Sequence, residues 1–586
     1  MPTLRPPTTR QEVFTIVDGD DGKELIVHDT RIIDRLERFA SFESFYTVPP
    51  RIKVDQVLSF SGKIKASLRS PPLYPNEQVF IDPSYTTDRG LLKLVQILEA
   101  ESQGSNDMML RMAKKGVIAF KYLPNLFVVD SYAFVYVNGS PLAFLIEESQ
   151  IVQGAFYTAF EVTGKYILCD GKNFKYTSET WTIMSFEDLV PIDSLTVQPL
   201  DESSALFETL ELRGRKFEKF SLGYTYLEYS GNMLQMGWAP ILFKANGRVM
   251  VDTINFAQLN PNYSMGASRM DTNRSHMDKS KLTSVPHHHY IICSPSVYGF
   301  SFSVKKWGQL FVDNLTPIVY NDHAFERLVL DPERKRLIMN LVTNENGKGM
   351  RNLDLIAHKG NGVIFLLHGS PGVGKTLTAE SIAEYIHRPL YSVSAGELGT
   401  DVASLEKRLG EILEVTALWQ AVVLIDEADI FLEARTDQDI QRNALVGIFL
   451  RLLEYHQGIL FLTTNRVQTF DGAFKSRITL SLKYKELDSD ARAKIWATVL
   501  DRAEGEDNWD LNLRELSEAR LNGREIKNVV RLSKAMGENP DSPITMENIR
   551  KVLGMMSEFD KDIDSEKAVR RVGRTSSLHR YGFEKA

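Results

Sequence analysis

The chain has 586 residues and a mass of 66.5 kDa, too long for one hydrophobic core and long enough for about three or four domains. Hydrophobic residues make up 43% and charged residues 25%, as in soluble globular proteins, and the net charge of −7 supplies no bulk positive field that would draw the whole molecule to nucleic acid or anionic lipid. Two distant cysteines, Cys169 and Cys293, suggest neither a disulfide framework nor a zinc site, which points to a reducing compartment.

The first residues, Met1 to Pro7, lack the apolar core of a signal peptide, and no apolar run approaches the ~18 residues of a membrane helix, so a soluble intracellular protein without a transmembrane segment is expected. Residues 1–90 mix the pairs Pro6-Pro7, Pro49-Pro50 and Pro71-Pro72 with one helical pattern over 32–39, and a partly ordered region is expected. A β-rich α+β domain is expected over 91–257. Helical patterns at 91–98 and 108–112 precede strands whose turns are Asn138-Gly139, Asp170-Gly171 and Asn246-Gly247. Tyr132–Val137 and Leu142–Ile146 form the first such hairpin, and Ile241–Lys244 and Val249–Thr253 the third. The basic helical stretch Arg213–Phe220 reads better as a solvated face than as a nucleic-acid patch.

Residues 258–289 are polar and without period, as expected of a linker or mobile loop, and end in His287-His288-His289, a run that can bind metal but reads better as part of that loop. A connector over 290–330 follows. Asp331-Pro332-Glu333-Arg334 then looks like a helix start with proline in its first turn.

The apolar run Val363–His368 leads into Gly369-Ser370-Pro371-Gly372-Val373-Gly374-Lys375-Thr376, and Leu377 opens an amphipathic pattern. In the spacing G-x-x-x-x-G-K-T, glycines let successive backbone N–H groups turn inward, and the following helix adds its positive end. Polyphosphate is the natural guest: Lys375 reaches the β- and γ-phosphates, and the Thr376 hydroxyl is a ligand for the Mg²⁺ that accompanies a nucleotide. A buried strand pattern, Ala421–Ile425, ends in Asp426 and Glu427. Alternating strands and helices imply a parallel sheet with ligands at the carboxyl ends of its strands. There Asp426 can help hold the metal, while Glu427 orients and polarises the attacking water. The strand Ile459–Thr464 ends at Asn465, whose amide can hold that water, and Arg477 can stabilise transition-state charge.

With these motifs, residues from about 320 to 556 resemble the AAA ATPases: His368–Thr376 as Walker A, Val422–Glu427 as Walker B and Thr464-Asn465 as sensor 1. Through Tyr391–Thr400 and Arg442–Leu445 the chain is most similar to fungal AAA proteins with a large uncharacterised N-terminal domain. The resemblance implies an α/β ATPase domain over 331–485 with a five-stranded parallel sheet, a small α-helical lid over 486–556, a disordered tail over 557–586, ATP and Mg²⁺ as cofactors, and a homo-oligomer, hexameric in the family, with nucleotide between subunits. Arg477 would act on the neighbour's ATP, assisted by Arg442. Arg524 resembles the sensor 2 arginine, with a surface salt bridge, to Glu525 or another acid, as the alternative. Leu398 stands where substrate-threading rings carry an aromatic gripping residue, which leaves threading open. The implied function is Mg²⁺-dependent ATP hydrolysis coupled to remodelling of an unidentified protein client bound by the N-terminal domain. The alternatives are a nucleotide-gated binding module with little turnover, and a nucleic-acid remodelling ATPase.

Overall fold

The computed structural model describes residues 14–19, 22–28, 32–33, 36, 50–53, 94–96, 107–154, 156–235, 240–261, 263, 281–344, 362–399, 401–435, 439–466, 470–505, 509–537, 539 and 542–558. The expected tail beyond 558 and most of the expected linker, 264–280, lie outside them. The chain divides into two compact units, Met1–Pro317 and Ile318–Ala586.

In the first unit, Phe14–Gly19, Gly22–Val27 and Arg51–Lys53 form an antiparallel sheet that buries Leu25, Val27 and Ile52. Ile32, Ile33 and Leu36 are helical and buried, and the rest of the pattern at 32–39 is outside the described residues. A five-stranded antiparallel sheet follows, in the order Gln198–Pro199, Tyr132–Val137, Ser140–Gln153, Thr158–Cys169, Phe174–Met184. Its hairpins turn at Asn138-Gly139 and Asp170-Gly171, where positive φ at Asn138, Gly139 and Gly171 suits tight turns. A second five-stranded sheet has the order Ile241–Asp252, Ser296–Ser301, Lys306–Phe311, Tyr224–Gln235, Leu315–Thr316.

Several expectations change here. Asn246-Gly247 is not a turn: both residues lie inside Ile241–Asp252, opposite Ser230 and Tyr229 of Tyr224–Gln235, and the φ of +115° at Gly247 is absorbed within the strand. The expected connector supplies two full strands of the second sheet. The basic stretch belongs to helix α1 (Ala205–Ser221), where Arg213, Phe217 and Phe220 are buried, so neither a solvated face nor a nucleic-acid patch describes it as a whole. Arg213 lies 3.8 Å from Asp313, and burial lowers its pKa, with Asp313 opposing. The three histidines also differ from expectation. They start a 3-10 helix, His287–Ile292, in which His289 Nδ1 is 2.6 Å from the Tyr176 hydroxyl. Burial, then the neighbouring His288 and Lys165, push the His289 pKa down to about 4. No cluster of three or more metal-ligating side chains occurs among the described residues. One apolar core joins both sheets, α1 and the 3-10 helix, from Phe144 and Phe160 through Phe217 to Tyr229 and Val251.

The second unit begins with α2 (Pro332–Asn344), whose first turn is capped by Asp331 Oδ1 accepting from the N–H groups of Glu333 and Arg334 at 3.0 and 3.2 Å. Five strands follow: β1 (Val363–Gly369), β2 (Leu390–Ser394), β3 (Val422–Asp426), β4 (Ile459–Thr464) and β5 (Leu480–Tyr484). They lie in the order β2-β3-β4-β1-β5, all parallel. Between them run α3 (Lys375–Tyr385), α4 (Val402–Leu418) and α5 (Ile440–Glu454).

The three inner strands β1, β3 and β4 are apolar over most of their length because both of their faces are covered. Phe365, Leu367, Leu424 and Phe461 face a layer containing Ala379 and Ile382 of α3, while Ile364, Leu366, Ile425 and Leu462 face Leu405 and Leu409 of α4 and Val446 and Phe449 of α5. A lid of α6 (Ser489–Glu504), α7 (Leu513–Glu518), α8 (Gly523–Ala535) and a helix over 546–558 packs around the buried Trp496, Ile526, Val529 and Ile549. Among the described residues no helix is long and apolar enough to cross a membrane.

Two mutational expectations follow from this packing. A Cβ on Gly214 of α1 would sit 2.0 Å from the Tyr290 carbonyl oxygen, so Gly214→Ala should destabilise the first unit by about 1–3 kcal/mol despite alanine's helix propensity. Gly410→Ala in α4, where a Cβ meets open space, should instead stabilise by about 0.5–1 kcal/mol. Denaturant midpoints of the two variants should move in opposite directions. His456, buried between α5 and β4, has both ring nitrogens without a hydrogen-bond partner among the described residues, and burial pushes its pKa from 6.5 to about 4. A folded-state pKa below the unfolded one means that the unfolded chain binds the extra proton. Stability contributed by the neutral ring is therefore present above 6.5 and is lost as pH falls towards 4, by roughly 1.4 kcal/mol per pH unit. His456→Leu should flatten that slope, as read from unfolding midpoints at pH 7 and pH 5.

Candidate active site

The site is set by strand register. β1 lies between β4 and β5, with His368 opposite Thr464 and Gly369 opposite Tyr484, and Ile425 of β3 faces Leu462 of β4. The loop after β1, the acids after β3 and the amide after β4 therefore leave the sheet at the same end.

The loop Gly369–Thr376 needs its glycines. Gly369, Gly372 and Gly374 have φ of +149°, +74° and +100°, and a Cβ at Gly369 would lie 2.3 Å from the Tyr484 carbonyl oxygen. A Cβ at Gly372 would lie 2.4 Å from Asn522 Oδ1 of the lid, and Gly523 N donates to the Gly372 carbonyl at 3.0 Å. Gly374 caps α3, whose first residues are Lys375 and Thr376. Ser370, Pro371 and Leu377 are exposed and Val373 is buried beneath the loop.

Lys375 is buried, and its Nζ donates to the carbonyls of Gly369 and Ser370 at 2.9 and 2.8 Å and to Asn465 Oδ1 at 2.8 Å. Burial lowers its pKa; Asp426 and Asp429 oppose that, and Arg524 adds to it. Thr376 Oγ1 lies 3.3 and 3.2 Å from the two Asp426 carboxylate oxygens. A hydroxyl and a carboxylate side by side, where a glycine-rich loop enters a helix, are the donor set of a magnesium ion bound with polyphosphate. The residues present thus fit Mg²⁺ and ATP.

Glu427 is exposed and stands in the left-handed region at φ +54°, an uncommon conformation for a non-glycine residue. Its N–H donates to Thr463 Oγ1 at 3.0 Å. Asp429, the next acid in the chain, accepts from the Thr464 hydroxyl and, at 3.2 Å, from Asn465 N. Neither Thr463 nor Asp429 is marked by spacing; only the pairing of β3 with β4 brings them to the site.

Arg477 is not brought to this group. Its Nη2 donates to Glu454 Oε2 at 2.9 Å and its Nη1 to the Ala473 carbonyl at 3.1 Å. Arg442 is paired with Glu433. Arg524, exposed at the start of α8, is near enough for its charge to act on Lys375. The expected alternative of a pair with Glu525 does not form: the Glu525 carboxylate accepts from Asn522 N at 2.8 Å and completes a capping box. Leu398, the residue that leaves threading open in the sequence, is not on the surface. It is fully buried at the end of a short helix, Ala395–Leu398, among the apolar side chains between β2 and α4, while Gly396 and Glu397 are exposed.

Comparison with known proteins agrees with this geometry. Residues 365–485 match the model of the ATPase family associated with various cellular activities (AAA), and residues 108–204 match a domain of unknown function, DUF7025. Among curated relatives, the chain is 26% identical over 188 residues to a putative 26S proteasome regulatory subunit homolog of Methanothermobacter thermautotrophicus, covering 30% of this chain and 50% of that protein. It is 30% identical over 179 residues to a mitochondrial sorting homolog of Caenorhabditis elegans, 29% of this chain and 52% of the relative. It is also 27% identical over 264 residues to a cell division control protein 48 homolog C of Arabidopsis thaliana, 38% of this chain and 31% of the relative. The chain thus spans about half the length of the first of these curated relatives. With the loop, the paired acids and the amide at one end of a five-stranded parallel sheet, residues 365–485 are an AAA ATPase domain.

Proposed function

We propose that the chain hydrolyses ATP in the presence of Mg²⁺ as a subunit of a ring, hexameric as the family resemblance implies, and that the first unit recognises a protein client which the ring remodels. The observation that carries the hydrolytic part is the convergence of Lys375, Thr376, Asp426, Glu427 and Asn465 at one sheet end.

In this reading Thr376 and Asp426 hold Mg²⁺, which when bound neutralises phosphate charge and orients the γ-phosphate. Lys375, now bonded to two loop carbonyls and Asn465, exchanges those partners for phosphate oxygens. Glu427 takes a proton from the attacking water as the new P–O bond forms at the γ-phosphorus and the bond to the ADP oxygen breaks; Asn465 holds that water in line. The pairing of Arg477 with Glu454 rather than with this chain's loop supports a role on the neighbouring subunit's ATP, with Arg442 beside the same contact and Arg524 acting from the lid. An isolated chain then binds ATP and turns it over slowly. Because Leu398 offers no surface to polypeptide, remodelling by an aromatic-type grip at that position is not part of the proposal.

Subunit mixing tests the shared site. Arg477→Ala alone should lose roughly 10³-fold in kcat while keeping its ATP-induced thermal shift, which at 100 times Kd corresponds to about 2.7 kcal/mol. Mixing it with inactive Glu427→Gln should restore measurable turnover, because each supplies the group that the other lacks. Turnover that stays at the level of the separate variants would refute action across the interface. Gly372→Ala, with positive φ and a Cβ pressed on Asn522, should lose the ATP shift altogether.

A further inference from the structure

Thr463 is the last residue but one of β4 and 1% exposed, and it bonds to three consecutive residues at the end of β3, Asp426 to Ala428. Its hydroxyl donates to Asp426 Oδ1. The same oxygen accepts the Glu427 N–H at 3.0 Å, and its carbonyl accepts the Ala428 N–H at 2.9 Å. One side-chain oxygen therefore stands between the carboxylate that faces Thr376 and the backbone of the acid that faces water.

We propose that Thr463 is a positioning residue for the metal and water acids: its hydroxyl fixes the Asp426 carboxylate toward Thr376 and holds Glu427 in its left-handed conformation. The inference rests on the hydrolytic reading above. Its physical basis is directional. A hydroxyl can donate to one partner while accepting from another, so a single Thr463 rotamer couples the two acids. Without it, the buried side of Asp426 loses a charge-assisted bond and rotates more freely, and the Glu427 N–H loses the partner that offsets the cost of φ +54°. Valine has nearly the same shape and can do neither. Serine can do both. The bond from the Thr463 carbonyl to Ala428 N is backbone and survives every substitution, so the turn itself is retained.

The test compares wild type, Thr463→Val, Thr463→Ala and Thr463→Ser in the full-length chain. The first readout is the ATP-induced rise in unfolding temperature as a function of Mg²⁺, and the second is steady-state phosphate release. Thr463→Val and Thr463→Ala should need roughly 10–100-fold more Mg²⁺ for half the metal-dependent shift, with a kcat loss of similar size, as expected when a residue behind a metal ligand is removed. The shift given by ATP without Mg²⁺ should be unchanged, and Thr463→Ser should match wild type in both readouts. Equal Mg²⁺ dependence in all four proteins, or a loss that serine shares with valine, overturns the proposal. Should Thr463→Val fail to fold, the contrast of serine with alanine decides it. Wild type that shows the Mg²⁺-dependent shift without phosphate release would refute the hydrolytic reading, while the shift series still decides the role of Thr463.

Discussion

The parallel pairing of β1 with β4, and of β4 with β3, is the constraint on which the second unit depends. Phe365 of β1 stacks on Phe461 of β4 with ring centroids 4.6 Å apart, and the flanking residues alternate between two helical layers. A register slip of one residue would turn every one of these side chains to the opposite layer. It would also separate the loop from the acids. Core packing and site geometry are therefore one requirement: the packed strands keep Gly369, Asp426 and Asn465 at a common end.

The loop itself was legible in the sequence because its physics is local. Glycines at fixed offsets, a lysine and a threonine specify backbone curvature and two side chains within eight residues, and Lys375 Nζ and Thr376 Oγ1 lie beside Asn465 and Asp426. Asp426, Glu427 and Asn465 were legible through the apolar strands before them. What failed to show in sequence depended on distant neighbours. Leu398 is apolar in a grip position, and nothing nearby in the chain says that α4 covers it. Asn246-Gly247 has the composition of a hairpin turn, yet twelve residues of antiparallel pairing with Tyr224–Gln235 hold it inside a strand. Arg213 has the periodicity of a solvated face, but Tyr290 and Asp313 come from segments about 75 and 100 residues away. Thr463, Asp429 and Asn522 are ordinary residues until sheet and lid bring them to the loop.

The two units differ in how much their residues say about function. The second places three of its buried polar side chains, Lys375, Thr463 and Thr464, against acids or amides at one end of the sheet. The first uses its buried polar groups within its own framework: Asp252 accepts from the Asn255 N–H and side-chain amide, and the Ser149 hydroxyl donates to the Phe127 carbonyl. Two antiparallel sheets share a core with α1, and the match to a domain of unknown function covers the first of them.

The central claim is that the acids after β3 and the amide after β4 make the phosphate loop hydrolytic. Steady-state phosphate release, followed as a function of chain concentration with ATP and Mg²⁺, tests it most directly. Specific activity should rise with concentration as subunits assemble, and Glu427→Gln should abolish it at every concentration while ATP still raises the unfolding temperature. Release by wild type that never exceeds Glu427→Gln would contradict the account.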